Sequence, residues 1–400
     1  MATSTIASID PAGMRALVRV DFNVPIKDGT IRDDRRIRAA LPTIQSILDR
    51  GGSVVLMSHL GRPKGEGLQP DLSLAPVAER LGELLDAHVE FPSDDCIDDE
   101  AAAAAQTLEP GGVLLLENLR FHTAEKTGDA AFAATLAGYG DFYVNDAFGT
   151  CHRADASMVA VPRAMEGKPR VAGLLVEKEL RFLRAALDDP PRAFIVVLGG
   201  AKVSTKIAAI ENLLPKCDAM LIGGAMAYTF LRARGEPVGS SLVEDEHVET
   251  ARRALQAAED RGVPLQLPSD HIVSKAFEAG AETWTTSEIP DGAVGIDIGP
   301  QTAGAYAAEI STARTVLWNG PMGVFEWPGA DGGSRAVAEA MASATKAGAT
   351  TIAGGGDSAA ALDAFGLVTD ITHVSTGGGA SVEMLEGKRF EAIELLDQAG

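Results

Sequence analysis

The chain has 400 residues, 46% of them hydrophobic and 23% charged, and its formal net charge is −21. Its length predicts two domains, because a single core rarely serves more than about 250–300 residues, and its composition excludes a disordered or fibrous chain. The negative charge excludes nucleic acid and acidic membrane surfaces as general partners, so any bound anion must be held by a local cluster of Lys and Arg.

The first residues, MATSTIASIDPAG, have no basic start followed by an apolar stretch, and therefore predict no secretory signal. Beyond them, short apolar runs alternate with Ala- and Leu-rich stretches of helical period. The predicted strands cover 16–20, 53–58, 113–118, 141–146, 193–200, 219–224, 315–320, 350–355 and 373–376. The predicted helices include 75–86, 204–214, 244–260, 332–346 and 357–365. Continuous apolar strands separated by helices are typical of parallel sheets covered on both faces, so we expect an α/β fold.

A helical pattern over 176–189, followed by Pro190 and Pro191, marks a boundary between two halves. We expect an N-terminal domain over 1–176, a connecting helix over 177–190 and a C-terminal domain over 191–387. No apolar run approaches the roughly 18 residues that a membrane span needs. The scattered Cys96, Cys151 and Cys217 predict neither a disulfide framework nor a zinc site. We therefore expect a soluble, cytoplasmic protein with no membrane partner.

The predicted strands of the first half end in polar or cationic residues, at the edge where parallel sheets bind ligands. These endings read VDFNVP (20–25), SHLGRP (58–63), ENLRF (117–121) and NDAFGTCHR (145–153). One such arginine is most often a surface ion pair. Several placed just after strands indicate a site for a small, multiply charged anion, because guanidinium is a planar fork that suits carboxylate and phosphate. The candidates are Asp21, Asn23, Arg36, His59, Arg62, Arg120 and Arg153.

The predicted strands of the second half end in glycines instead. These endings read LGGAK (198–202), IGGAM (222–226), DIGP (297–300), WNGPMG (318–323), AGGGDS (353–358) and STGGGAS (375–381). Glycine turns occur between strands and helices in any case, but six in one half favour a nucleotide or polyphosphate site. Lys202 and Lys206, four residues apart, would lie on one face of a helix and need an anion there. Asp357 is either a helix cap or a Mg²⁺ ligand.

Other nucleotide-binding and hydrolytic folds lack their signatures here. No GxxxxGK[ST] run is present, which excludes a Walker-type P-loop, and no GxSxG elbow is present. Gly354, Gly356 and Ala359 satisfy GxGxxA, but no acidic residue ends the next predicted strand to hold a ribose. A non-catalytic two-lobed binding protein for a small anion remains the alternative, although it would not need the lysine pair or Asp357.

Ten strings of this chain closely resemble the phosphoglycerate kinase family, in that family's order and spacing from about residue 18 to 387. They are VRVDFNVP, RRIRAALPTI, MSHLGRPKG, LLENLRF, VNDAFGTCHRADASM, LGGAKVSTKI, IGGAMAYTFL, WNGPMGVFE, AGGGDSAAA and STGGGAS. The resemblance implies a monomer of two Rossmann-like domains joined by a hinge helix, with the tail 388–400 packed on the first domain. It implies reversible transfer of the acyl phosphate of 1,3-bisphosphoglycerate to MgADP, giving 3-phosphoglycerate and MgATP.

The resemblance also assigns roles to residues. The seven candidates of the first half would bind phosphoglycerate. The nucleotide would bind at Lys206, Gly295, Asn319, Glu326, Gly355, Gly356, Asp357 and Ser358, with Asp357 as the Mg²⁺ ligand. The transferring phosphoryl group would be surrounded, after domain closure, by Arg36, Lys202, Lys206, Gly377 and Gly378. No general base is expected, because a phosphate oxygen attacks and a carboxylate leaves.

Three features depart from the family pattern. Ala225 stands where a third glycine is usual, and the tail 388–400 lacks the usual LPG-containing ending. Asp155 stands where histidine is frequent, which adds a negative charge beside the expected phosphoglycerate site.

Overall fold

The computed structural model describes residues 3–398, which form two compact units. The first comprises the described residues up to Leu180 together with those from Arg389 onward, and the second comprises Arg181–Lys388. Residues 1–2 and 399–400, which fall within the predicted first domain and tail, lie outside the described residues. Among residues 3–398, no helix combines the length and the apolar character that a membrane crossing requires.

The first unit is built on a six-stranded parallel sheet in the order β5-β6-β4-β1-β7-β8. Its strands are β1 (Arg15–Val20), β2 (Ile26–Lys27), β3 (Thr30–Ile31), β4 (Ser53–Met57), β5 (Val89–Glu90), β6 (Val113–Leu115), β7 (Phe142–Asp146) and β8 (Arg170–Ala172), of which β2 and β3 form a separate antiparallel pair. Its helices are α1 (Arg35–Leu48), α2 (Ala75–Leu85), α3 (Asp99–Thr107), α4 (Thr123–Thr127), α5 (Ala130–Ala137) and α6 (Val161–Ala164). The strands β4 and β7 are buried along their whole length, which the apolar run of β4 predicts, whereas β7 also buries the polar Asn145 and Asp146.

Helix α7 (Leu174–Asp188) contains the point, between Leu180 and Arg181, where one unit gives way to the other. The second unit has its own six-stranded parallel sheet in the order β11-β10-β9-β15-β16-β17. Its strands are β9 (Phe194–Leu198), β10 (Ala219–Ile222), β11 (Leu265–Gln266), β12 (His271–Ser274), β13 (Thr283–Thr286), β14 (Val294–Ile298), β15 (Thr315–Asn319), β16 (Thr350–Gly354) and β17 (His373–Val374). Its helices are α8 (Ile207–Leu213), α9 (Met226–Arg234), α10 (Val248–Arg261), α11 (Pro300–Ser311), α12 (Gly332–Lys346), α13 (Gly356–Ala364) and α14 (Gly379–Leu385).

The described end of the tail lies against the first unit. Helix α15 (Glu391–Glu394) is followed by Asp397, whose carboxylate accepts a hydrogen bond from Arg170 N at 2.8 Å and pairs with the Arg170 guanidinium at 3.1 Å. The Ala392 carbonyl accepts a hydrogen bond from Asn145 Nδ2 at 3.3 Å. These contacts join the tail to β7 and β8.

The two parallel sheets confirm the predicted α/β class, and each predicted strand is present. Several strands end before the predicted residue, some because a polar side chain that follows bonds to a loop and others at a glycine. After β6, for example, the buried Glu117 carboxylate accepts from Leu74 N at 2.8 Å and from Asn118 N at 2.6 Å. The antiparallel sheet β13-β12-β14 was not predicted from the sequence, because its outer strand TWTT carries only half-buried and exposed residues.

Candidate active site

Polar side chains from several strand ends meet at one edge of the first sheet, because β1, β4, β6 and β7 run parallel. Arg36 Nη1 donates to both Asp21 carboxylate oxygens at 3.1 Å and to the Asn23 carbonyl at 3.1 Å. The Asn23 side chain in turn accepts a hydrogen bond from Gly61 N at 2.9 Å. Asp21 and Asn23 therefore orient the Arg36 guanidinium and join the loop after β1 to the loop after β4.

His59, which follows β4, is buried in the middle of this cluster. Burial holds its pKa well below the ordinary value, and the positive charges of Arg19, Arg120, Arg153 and Arg36 lower it further. Arg19 Nη2 lies 3.1 Å from His59 Nδ1. A guanidinium can only donate, so Nδ1 accepts and the ring proton of the neutral imidazole is on Nε2. His59 thus offers an uncharged N–H donor among four cations.

Arg120, which follows β6, is buried and tied on two sides. Its Nη1 donates to the Gly61 carbonyl at 3.0 Å, and its Nη2 pairs with Asp155 Oδ2 at 3.2 Å. Asp155, one of the residues that depart from the family pattern, is thus the buried partner of a candidate substrate arginine. Arg153 is exposed but close enough to act on His59, whereas no hydrogen bond or ion pair within residues 3–398 ties the exposed Arg62 to the cluster.

A buried network that was not predicted from the sequence lies behind His59. Arg19, in β1, is fully buried and donates from Nε to Ser157 Oγ at 2.8 Å. Ser157 donates its hydroxyl and its backbone N–H to the two carboxylate oxygens of the buried Glu125, at 2.6 and 2.9 Å. Burial raises the pKa of Glu125, and the charge of Arg19 opposes that rise. One feature of the sequence indicates this network: Arg19 lies inside the apolar run ALVRV (16–20), and a charge buried in such a strand needs a partner.

The second unit contains a glycine-lined pocket at the carboxyl ends of β15 and β16. Its volume is about 200 Å³, below the roughly 300–1,000 Å³ of pockets that enclose whole drug-sized ligands, so it suits the phosphates of a nucleotide better than the complete molecule. Its lining residues are Lys206, Asn319, Gly320, Gly355, Gly356, Asp357, Ser358, Gly378, Gly379 and Val382. We call this set the glycine pocket.

The Lys206 ammonium is the cation of the glycine pocket. Its Nζ donates to Asn319 Oδ1, and Asn319 Nδ2 donates to the Gly354 carbonyl at 2.8 Å. Burial lowers the pKa of Lys206, while the charges of Asp357 and Glu386 oppose that change. Gly355 has a φ of +88°, and a Cβ there would lie 2.9 Å from Asn319 Nδ2, so only glycine fits without moving this amide.

Three comparisons with known proteins bear on this pair of sites. A family model described as phosphoglycerate kinase matches residues 6–388. The chain belongs to the phosphoglycerate kinase family. Phosphoglycerate kinases of Rhodopirellula baltica and Chloroflexus aurantiacus are 55% and 54% identical to it, over 100% of both chains in each case. The solved phosphoglycerate kinase of Coxiella burnetii matches it with a TM-score of 0.90 and 39% identity, and that of Pyrococcus horikoshii with 0.81 and 31%, each covering 98% of both chains.

Membership of the phosphoglycerate kinase family makes the chain a phosphotransferase, and nothing in the comparisons supports the non-catalytic binding protein that the sequence left as the alternative. The predicted pairing of Lys202 and Lys206 on one helix face is wrong. A short 3₁₀ turn, Val203–Thr205, separates the two lysines, and α8 begins only after Lys206. Lys202 is therefore exposed, while Lys206 lines the glycine pocket.

Three other residues assigned by the resemblance to phosphoglycerate kinase lie outside the glycine pocket. Gly295 is buried in β14, where its N–H donates to Ser241 Oγ at 2.9 Å and a Cβ would lie 2.1 Å from Tyr228 Oη. Glu326 is exposed in the turn after β15. The Gly377 N–H donates to Ser375 Oγ at 3.1 Å, while the neighbouring Gly378 lines the pocket.

Proposed function

We propose that this chain catalyses reversible transfer of the acyl phosphate of 1,3-bisphosphoglycerate to MgADP, giving 3-phosphoglycerate and MgATP. The observation that carries the proposal is the division of the family's two kinds of site between its two units. One unit holds Arg36 and Arg120 around the neutral His59, and the other holds the glycine pocket around Lys206.

Phosphoglycerate is proposed to bind the basic cluster of the first unit. Arg36 and Arg120 are held in place by carboxylates and carbonyls, so they can face an anion without first ordering their side chains. His59 adds an uncharged N–H donor from Nε2. The full set is Asp21, Asn23, Arg36, His59, Arg62, Arg120 and Arg153.

The phosphates of the nucleotide are proposed to bind in the glycine pocket. The N-terminus of α13 presents backbone N–H groups and a partial positive charge there, and Lys206 adds a full one. The contributing residues are Lys206, Asn319, Gly355, Gly356, Asp357 and Ser358, with Gly295 and Glu326 proposed for the remainder of the nucleotide.

Mg²⁺ fits the donor set of this pocket. Asp357 is an exposed carboxylate in the first turn of α13, and Mg²⁺ is usually held by one or two carboxylates together with phosphates and water. When bound, the ion would neutralise phosphate charge. Asp357 is the proposed protein ligand. Because it lines the same pocket as Lys206, both are proposed to bind the same phosphates.

Catalysis is proposed to consist of alignment and charge stabilisation. Neither the attacking phosphate oxygen nor the leaving carboxylate needs a proton taken from it, so no general base is required. Charge on the transferring phosphoryl group is proposed to be stabilised by Arg36, Lys202, Lys206, Gly377 and Gly378. The domain closure about α7, the monomeric state and the cytoplasmic location that the sequence implied stay predictions.

The proposal is tested with the purified chain, ATP, Mg²⁺ and 3-phosphoglycerate, by coupling the acyl phosphate product to a reductive step that consumes NADH. We expect turnover that requires both substrates and stops when the metal is chelated. The Arg36→Met variant is expected to lose turnover, while Arg38→Met, whose guanidinium pairs with Asp34 on the exposed side of α1, is the matched control. Ligand-induced thermal stabilisation without any turnover would instead identify a binding protein.

A further inference from the structure

The first unit contains a second group of ligand-type side chains, outside the residues proposed for the reaction. An Asp95 carboxylate oxygen, the Cys96 sulfur and a His122 ring nitrogen all lie within 4.8 Å of one another. His122 Nε2 and Asp95 Oδ1 are 2.9 Å apart. Cys96 is 1% exposed, whereas the Asp95 and His122 side chains are 40% and 24% exposed. The group is therefore closed on the thiol side and open to water on the other.

The positions of these donors are fixed by local structure. Asp95 Oδ1 also accepts a hydrogen bond from Ile97 N at 2.9 Å, which holds the loop before α3. The His122 ring packs on the Phe132 ring with a centroid distance of 5.3 Å. The surrounding segment SDDCIDDE (93–100) carries five carboxylates, so a cation approaching this loop is attracted.

An unsatisfied hydroxyl next to the group is an independent sign that a partner is missing. Tyr139 is 3% exposed, and its Oη has no hydrogen-bond partner among the described residues, although a buried tyrosine hydroxyl usually finds one. Burial raises the pKa of Tyr139 to about 12, and its neighbours Cys96, Asp98 and Asp95 add to that rise. The hydroxyl therefore lies in the neighbourhood of Cys96 and Asp95.

We propose that Asp95, Cys96 and His122 bind one Zn²⁺ ion, with a water at the fourth position that hydrogen-bonds to Tyr139. Thiolate, imidazole and carboxylate are the donors that Zn²⁺ takes, whereas Mg²⁺ takes oxygen alone. Tetrahedral bonds of about 2.0–2.3 Å place donor atoms roughly 3.3–3.7 Å apart, so the present spacing needs shifts of about 1 Å. On binding, the Cys96 thiol releases its proton to solvent, and His122 gives up the Nε2 proton that it now donates to Asp95, so that its one remaining ring proton is on Nδ1.

Titration of the metal-free chain with Co²⁺, a spectroscopic substitute for Zn²⁺, tests this site. A thiolate bound to Co²⁺ gives a near-ultraviolet charge-transfer band, which we expect to saturate at one ion per chain and to disappear when Zn²⁺ is added. The residues described as lining the glycine pocket include no cysteine, so Co²⁺ bound there cannot produce the band. The readout is thus independent of phosphotransferase activity.

Matched variants assign the band to the proposed ligands. Cys96→Ser is expected to abolish it, while Cys217→Ser, which alters another buried thiol, keeps it. Tyr139→Phe is expected to keep the band and weaken Zn²⁺ affinity about tenfold or more, as loss of an outer partner does. No band in the wild-type chain, a band that persists in Cys96→Ser, or saturation only at millimolar metal would each overturn the proposal. The wild-type result decides even if a variant fails to fold.

Discussion

Asp146, the last residue of β7, is fully buried, and one carboxylate oxygen accepts a hydrogen bond from Leu175 N in the first turn of α7 at 2.9 Å. Gly173 makes room for it, since a Cβ there would lie 2.2 Å from Oδ1. Burial raises the pKa of Asp146 from 3.8 to about 7. The protonated form is therefore favoured by folding, and its contribution to stability is complete below about pH 3.8 and is lost as the pH rises to about 7.

The size of this effect follows from the pKa change. One pKa unit corresponds to about 1.4 kcal/mol, so the roughly two units between pH 5 and pH 7 amount to about 3 kcal/mol. Asp146→Asn keeps the acceptor for Leu175 N and is neutral at every pH. We expect the free energy of unfolding of the wild type, minus that of Asp146→Asn, to fall by about 3 kcal/mol from pH 5 to pH 7 and to change little above it.

Urea unfolding at several pH values measures this difference. Trp284, Trp318 and Trp327 all belong to the second unit, so their fluorescence follows that unit. Far-ultraviolet circular dichroism reports both units, so its difference from the fluorescence transition gives the first unit. Glu100→Gln, at an exposed carboxylate of the same unit, is the control and should show no such pH-dependent difference. A difference for Asp146→Asn that is flat, or that rises with pH, would refute the burial argument.

Three further results are expected. Lys206→Met should lower kcat by about 10²–10³, because a donor to the transferring charge is lost, and steady-state kinetics that show a change in KM alone would contradict this role. Gly355→Ala should weaken ADP binding at least tenfold in calorimetry with the fold intact, because its Cβ displaces Asn319; unchanged affinity would count against the glycine pocket. The ¹⁵N resonances of His59 should show a proton on Nε2, because Nδ1 accepts a hydrogen bond from Arg19, and should not change from pH 6 to pH 8. A titration of the ring with a midpoint near pH 6.5 would contradict the effect of burial on its pKa.

Local sequence patterns were enough for the fold class and for most elements. Apolar runs such as SVVLM and FIVVL are buried from end to end, because a strand in the middle of a covered parallel sheet has no polar face. The same reasoning failed for β13, since TWTT lies at the edge of a small sheet and its pattern does not distinguish it from a loop. The prediction that Lys202 and Lys206 share one α-helix failed for a similar reason. A 3₁₀ turn separates them, and the period of the sequence does not distinguish such a turn from the first turn of an α-helix.

Part of the candidate site could likewise be predicted from the sequence, and part could not. The polar and glycine endings of the strands were readable because parallel strands end at one edge, so residues far apart in the chain, such as Asp21 and Arg36, were predicted as neighbours. The partners of buried groups were not readable. Asp155 as the partner of Arg120, and Ser157 as the acceptor from Arg19, depend on side chains from other elements.

The sequence by itself determined that this protein has two α/β halves, one with basic and one with glycine-rich strand ends, because these properties depend on residue type and on local period. Only the tertiary structure decided which ring nitrogen of His59 carries the proton, the raised pKa of Asp146 and the grouping of Cys96 with His122. Each of these depends on burial and on contacts between segments distant in the chain. Such contacts are set by how the elements pack, and packing has no signature in any short stretch of sequence.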